Sequence, residues 1–115
     1  RVGIIYGTIL VMGKKIAKTY AYEPFRAMLN ETERVELDRL LVELETSGRL
    51  EYPFAEKAGE NLFEIRIRKG GNGREFYCYD DGEFVWLLNG FEKKTRKTPP
   101  REIRLAHKIM REYGL

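Results

Sequence analysis

Leu62-Phe63-Glu64-Ile65-Arg66-Ile67-Arg68 is followed by Lys69, the loop Gly70-Gly71-Asn72-Gly73 and the run Arg74-Glu75-Phe76-Tyr77-Cys78-Tyr79-Asp80. After Asp81-Gly82 come Phe84-Val85-Trp86-Leu87-Leu88-Asn89-Gly90-Phe91 and a basic tail, Lys93-Lys94-Thr95-Arg96-Lys97-Thr98-Pro99-Pro100. Three short runs rich in aromatic and β-branched residues, separated by glycine turns, predict an antiparallel meander. Asp81-Gly82 suits a tight two-residue turn between the second and third runs.

Alternation within the meander gives a register. If Gly70 to Gly73 form the first loop, Ile67 pairs with Phe76 and Ile65 with Cys78. If Asp81-Gly82 forms the second, Cys78 pairs with Val85 and Phe76 with Leu87. One face is then apolar throughout: Ile65, Ile67, Phe76, Cys78, Val85 and Leu87. The other carries Arg66, Arg68, Glu75, Tyr77, Tyr79, Phe84 and Trp86. Rings stack bases and guanidiniums meet phosphates, so this second face suits single-stranded RNA. The same pattern fits a second apolar layer under a helix, with arginines at its rim. This register also turns Arg74 towards the apolar face, unless a bulge at Gly71 or Gly73 flips it.

Working outward, the chain has 115 residues, the size of one domain with a real core. A lone cysteine, Cys78, excludes an internal disulfide and fits a reducing compartment. Its place in the apolar run favours an inert buried thiol over a nucleophile. No Cys/His cluster has metal-ligand spacing, and the one histidine, His107, falls in a predicted helix. The net charge of +3 is unevenly spread. Basic residues gather after residue 60, above all in Lys93, Lys94, Arg96 and Lys97 as the chain leaves its last strand. That stripe fits a polyanion or an acidic partner. Arg104, Lys108 and Arg111 need only be the solvated face of a helix.

The opening, residues 1–12, is apolar, with glycines at 3, 7 and 13. Its polar-free run is too short to span a bilayer and lacks signal-peptide features. It reads as an extra strand or an N-terminal extension. Ile16 to Tyr22 alternates like a strand, Pro24 ends it, and Phe25 to Leu29 makes a short helical turn. Asn30 and Glu33 form a capping-box pair ahead of a helix with Val35, Leu37, Leu40, Leu41 and Leu44 inward, stopped by Gly48. Glu36, Arg39 and Glu43 mark its solvated side, and Leu50 to Glu60 reads as a connector. Thr98 as N-cap and Pro99 as first residue open a C-terminal helix that buries Ile103, Ala106, Met110 and Tyr113 and ends at Gly114. The order β-α-β-β-β-α predicts an α+β fold, a small antiparallel sheet with helices on one face.

Phe63-Glu64-Ile65-Arg66-Ile67, Arg74 leading an aromatic strand, and Leu88-Asn89-Gly90-Phe91-Glu92-Lys93-Lys94-Thr95-Arg96-Lys97-Thr98-Pro99 resemble the RelE superfamily of toxin ribonucleases, closest to its HigB-like branch. The likeness runs over residues 15–113 in element order and is sharp from Phe63 to Ala106. It implies the toxin of a type II toxin–antitoxin system, a cytoplasmic, metal-independent endoribonuclease without cofactor. The substrate would be mRNA on the ribosome. The implied partner is a cognate antitoxin, a helix-turn-helix protein, with no membrane involved. Cleavage would proceed by attack of a ribose 2′-hydroxyl on the adjacent phosphate. On that reading Arg66 and Arg74 grip the phosphate, because a guanidinium matches two of its oxygens. A lysine of lowered pKa, Lys94 or its neighbours Lys93 and Lys97, moves protons. Tyr77 or Tyr79 is a further candidate for proton transfer. Arg68, Lys69, Lys93, Arg96 and Lys97 would bind RNA. Other branches use a histidine or a C-terminal tyrosine. This meander has no histidine, and Tyr113 matches only loosely. Two other readings use the same fold: a non-catalytic RNA- or ribosome-binding domain, and a module that receives an acidic protein partner.

Overall fold

In a computed structural model the chain is described for residues 3–6 and 9–115, with side chains from residue 13 onward. Two strands, β1 (Gly3–Tyr6) and β2 (Ile9–Met12), form an antiparallel hairpin outside the main sheet. The extra strand expected at the start is therefore a pair of strands. Residues 1, 2, 7 and 8, part of that expectation, lie outside the described residues.

The main sheet has five strands: β3 (Lys15–Lys18), β4 (Ala55–Gly59), β5 (Leu62–Arg66), β6 (Gly73–Tyr79) and β7 (Phe84–Glu92). Their spatial order is β3-β7-β6-β5-β4. The meander β5-β6-β7 forms the centre of the sheet, and the α+β class holds. Two details of the sheet differ from the expected layout. The sheet is mixed rather than antiparallel, because β3 runs parallel to β7. The expected connector also supplies the edge strand β4, whose Glu56 and Lys57 hid the pattern of a strand with one solvated edge.

The register settles which side chains share a face. Arg66 pairs with Arg74 and Phe63 with Tyr77; Tyr77 pairs with Leu87 and Cys78 with Trp86. The first loop spans Arg68 to Asn72, since the Ile67 amide already donates to Gly73. The second begins at Asp80, whose amide donates to Phe84. Both pairings differ from the expected ones by an odd number of residues, and an odd slip moves one strand's whole side-chain set to the opposite face. Ile65 and Ile67 therefore share their face with Glu75, Tyr77 and Tyr79. Arg66 shares the other with Arg74, Phe76 and Cys78. The expected platform of arginines beside Tyr77 and Tyr79 does not exist. Nor does Arg74 need a glycine bulge to face the same way as Arg66. The bulge lies instead in β7, where Leu88 and Asn89 stand opposite Phe76.

Helices cover both faces of the sheet, not one. On the first lie α1 (Tyr22–Met28) and α2 (Glu31–Ser47), whose Tyr22, Phe25, Leu37, Leu40 and Leu44 pack on Ile65, Ile67, Tyr77, Val85 and Leu87. Full burial of each such aliphatic side chain contributes roughly 1.5–3 kcal/mol. The α2 ends are as expected: Asn30 and Glu33 make the reciprocal capping box, and Gly48 terminates the helix at φ 83°. Val35 is not inward, however, being 64% exposed, while Glu36 is buried against Arg39. On the second face α3 (Pro100–Glu112) sets Ala106, Ile109 and Met110 against Leu62, Phe76, Cys78, Leu88 and Phe91. It starts one residue later than expected, with Pro99 as N-cap, which frees the Thr98 side chain. Tyr113 is not core: its hydroxyl accepts the Tyr20 amide, and its ring meets Tyr20 and Trp86.

Candidate functional site

Four charged side chains share one face of the sheet. Glu56 faces Glu64 across β4 and β5, and Arg66 faces Arg74 across β5 and β6. Arg66 Nη1 lies 3.5 Å from Glu56 Oε2, and Arg74 Nε lies 3.4 Å from Glu64 Oε1. Two guanidiniums side by side repel, and the carboxylates diagonal to them offset part of that repulsion. Arg74 is 4% exposed, with one donor on the Gly73 carbonyl and Nε left without a hydrogen-bond partner. Burial, and then the charge of Arg66, hold its pKa below the usual guanidinium value. Arg66 is more open and lies over the exposed ring of Tyr52, its guanidinium carbon 5.6 Å from the ring centroid. Such a pairing of arginine and ring suits an anion attached to a flat base.

The chain after β7 closes the site. Lys93, Arg96, Lys97 and Thr98 line a cleft of about 310 Å³ together with Glu56, Lys57, Ala58, Glu64 and Ile103. The Thr98 hydroxyl, released from helix capping, donates to Glu64 Oε2 at 2.9 Å. The base of this basic arm is fixed by the glycine loop. Lys93 donates its amide to the Asn72 carbonyl, Asn72 Nδ2 donates to the Lys93 carbonyl, and the Asn72 amide donates to Glu92 Oε2. Asn30 Nδ2 in turn holds the Gly70 carbonyl, where φ is 83°. At that φ a side chain on Gly70 would be strained and would strike Thr32, so the loop needs glycine there to lie on the start of α2.

Of the residues expected in the site, Lys93, Arg96 and Lys97 line this cleft, while Arg66 and Arg74 do not line it but lie against its carboxylates, Glu56 and Glu64. Arg68 lies in the adjoining loop, near enough for its charge to act on Arg74. Lys94 lines a separate cleft of about 600 Å³, with Met28, Phe91, Thr95, Pro99 and Glu102; Lys97 lies between the two. Lys69 is on the other side of the glycine loop, beside Thr32, Val35 and Glu36. Tyr77 is buried under α2, and burial pushes its hydroxyl far above the ordinary tyrosine range. Tyr79 is on that same face and donates to the Gly48 carbonyl. Neither tyrosine reaches the cleft. The Cys78 thiol is buried and pushed up to about 11, as an inert core residue would be. Among the described residues no Asp, Glu, His or Cys cluster is arranged to hold a metal ion. Nor is any helix among them long and apolar enough to cross a membrane.

Sequence reading missed Glu64, Thr98, Glu56 and Tyr52. Glu64 was within reach of it, because it alternates with Arg66 on one strand. Thr98 was hidden by its fitness as an N-cap, Glu56 by the unrecognised edge strand, and Tyr52 by its place in the turn before it. A cleft with basic walls and a carboxylate in its floor can hold a phosphate ester and accept a proton beside it.

Residues 25–111 match the family described as Phage derived protein Gp49-like (DUF891). The chain belongs to that family. Among solved structures it is similar to a mutant of the Escherichia coli toxin RelE in the free state, with a TM-score of 0.63 and 20% sequence identity. That alignment covers 84% of this chain and 97% of the other. At such identity the likeness is one of fold, so this Gp49-like chain has a RelE-like fold. A search of curated proteins finds no match.

Proposed function

We propose that this Gp49-like chain is the toxin of a toxin–antitoxin pair and cuts mRNA on the translating ribosome. The carrying observation is that Arg66 and Arg74, opposite each other on one strand pair, lie against Glu56 and Glu64, the two carboxylates that line a cleft with Lys93, Arg96 and Lys97. The RelE-like fold supports the same reading. The reaction is transfer of the phosphate from the 5′-oxygen of one nucleotide to the 2′-oxygen of the one before it. Arg66 binds the phosphate and offsets charge that develops on its oxygens. Buried Arg74 holds that positive field in place from behind. The arm carries the flanking phosphates, and Tyr52 offers a ring to one base.

The antitoxin, a helix-turn-helix protein on the resemblance to the HigB-like branch, keeps the toxin inactive in the cytoplasm. The Lys94 cleft, with apolar Met28 and Phe91 beside cationic Lys94 and Lys97, suits a partner segment. Induced expression in a bacterial host tests the proposal. Growth arrest with transcripts cut inside their reading frames supports it. RNA or ribosome affinity without cut transcripts replaces it with a non-catalytic binding domain. The absence of both leaves a protein-interaction module.

A further inference from the structure

We infer that Glu64 is the proton acceptor of the cleavage step, a role that rests on the ribonuclease reading above. Three observations carry it. The carboxylate is 6% exposed yet lines the cleft floor, so it is rigid and faces the space there that substrate can enter. Its two oxygens are held by different elements: Thr98 of the arm donates to Oε2, and Arg74 of β6 sits against Oε1. Finally, it projects from the same face of β5 as Arg66, two residues along, which places the two side chains about 7 Å apart at their roots. A phosphate on Arg66 can then have a neighbouring ribose over Glu64, within reach of the proton that attack by a 2′-oxygen must lose. The lysines of the arm are ill suited to the task, because a lysine must lose its proton before it can accept one.

In the step, the 2′-hydroxyl proton passes to Glu64 Oε1 while the oxygen's lone pair forms the bond to phosphorus. The bond from phosphorus to the 5′-oxygen breaks, and that oxygen leaves with a proton from the Lys97 ammonium. The products are a 2′,3′-cyclic phosphate and a 5′-hydroxyl. Exchange with water deprotonates Glu64 and reprotonates Lys97.

Single-turnover cleavage of ribosome-bound mRNA, measured against pH beside ribosome affinity, tests the role. Glu64→Gln keeps an acceptor for Thr98 but cannot take a proton. It is expected to cut on the order of 100-fold or more slowly, with the acid limb of the rate profile gone and affinity little changed. Glu64→Asp is expected to keep the acid limb at a reduced rate. A Gln variant that cuts at the wild-type rate overturns the role. So does a slow one that retains the acid limb, since Glu64 would then only support Arg74 and Thr98. If the Gln chain does not fold, as judged by circular dichroism, the other two profiles decide: an acid limb missing from wild type or Asp overturns the role. Wild type that cuts no mRNA overturns the ribonuclease reading, and Glu64 with it.

Discussion

Arg66 and Arg74 stand directly opposite each other on β5 and β6, and both side chains leave the same face of the sheet. Two like charges at one cross-strand position destabilise a sheet unless something of opposite sign lies nearby. Glu56 and Glu64 supply part of it at 3.5 and 3.4 Å, distances too long for strong ion pairs. The two guanidiniums are therefore only loosely paired and are held on a rigid sheet, with Arg66 the more open of the two. Groups that need no reorganisation stabilise transition-state charge best, so this pair is well placed for a phosphate.

The first prediction follows from that geometry. Arg66→Lys keeps the charge but loses the planar fork that meets two oxygens at once. Cleavage should fall by a factor on the order of 10–1000, with ribosome affinity falling much less. Single-turnover rates on programmed ribosomes, set against measured affinities, check this. Equal rates for variant and wild type would reduce Arg66 to the partner of Glu56.

The second concerns the arm. For each phosphate of a single strand that the arm no longer neutralises, the log–log salt slope of RNA binding should fall by about 0.7. Replacing Lys93, Lys94, Arg96 and Lys97 together by alanine should weaken binding and flatten that slope. Because Lys94 lines the neighbouring cleft, Lys94→Ala alone should change the slope least of the four. A slope unmoved by the quadruple change would remove the arm from RNA binding.

These assignments show what the sequence made legible. Period-2 runs, the Asn30 capping box and the stop at Gly48 are local signals, and the structure has each of them. Register is not local. It depended on whether the first loop began at Arg68 or Gly70, and that choice moved Tyr77 and Tyr79 from the expected binding face into the core. The shared face of Glu64 and Arg66 was unaffected by this error, because alternation within a strand does not depend on its partner. Thr98 could not be read, since its alternative role as N-cap is equally good chemistry until the helix start is fixed. The Asn89-Gly90-Phe91 segment carried the resemblance, yet its residues act structurally. Asn89 Nδ2 donates to the Glu102 carbonyl at the start of α3, Gly90 lies under Phe25, and Phe91 packs in the core.

Gly90 gives the third prediction. An ideal Cβ built there would come within 2.4 Å of the Phe25 ring, so any side chain must push that ring aside. Overpacking of this kind typically costs about 1–3 kcal/mol. Gly90→Ala should lower the denaturant midpoint accordingly without changing the slope of the transition. If Phe25→Leu is combined with it, part of the loss should return. A Gly90→Ala chain as stable as wild type would show that Phe25 yields freely.

The last prediction uses Glu75, buried on the α1–α2 face with both carboxylate oxygens unpartnered. Burial raises its pKa well above the ordinary value of 4.5, so the folded chain keeps the proton to higher pH than the unfolded chain does. Below that value the folded and unfolded chains both carry the proton, and the group adds no pH dependence. Above it the unfolded chain releases the proton while the folded chain keeps it, so stability falls as pH rises. The slope is at most about 1.4 kcal/mol per pH unit, until the raised folded value is reached. Glu75→Gln preserves shape and removes the titration. It should leave stability at low pH nearly unchanged, raise it near neutrality and flatten the decline between. Glu33, raised by burial and by the neighbouring Glu92, contributes in the same direction and should leave a residual slope. Chemical denaturation of both chains across that pH range decides the point. Parallel curves would mean that Glu75 ionises in the folded protein.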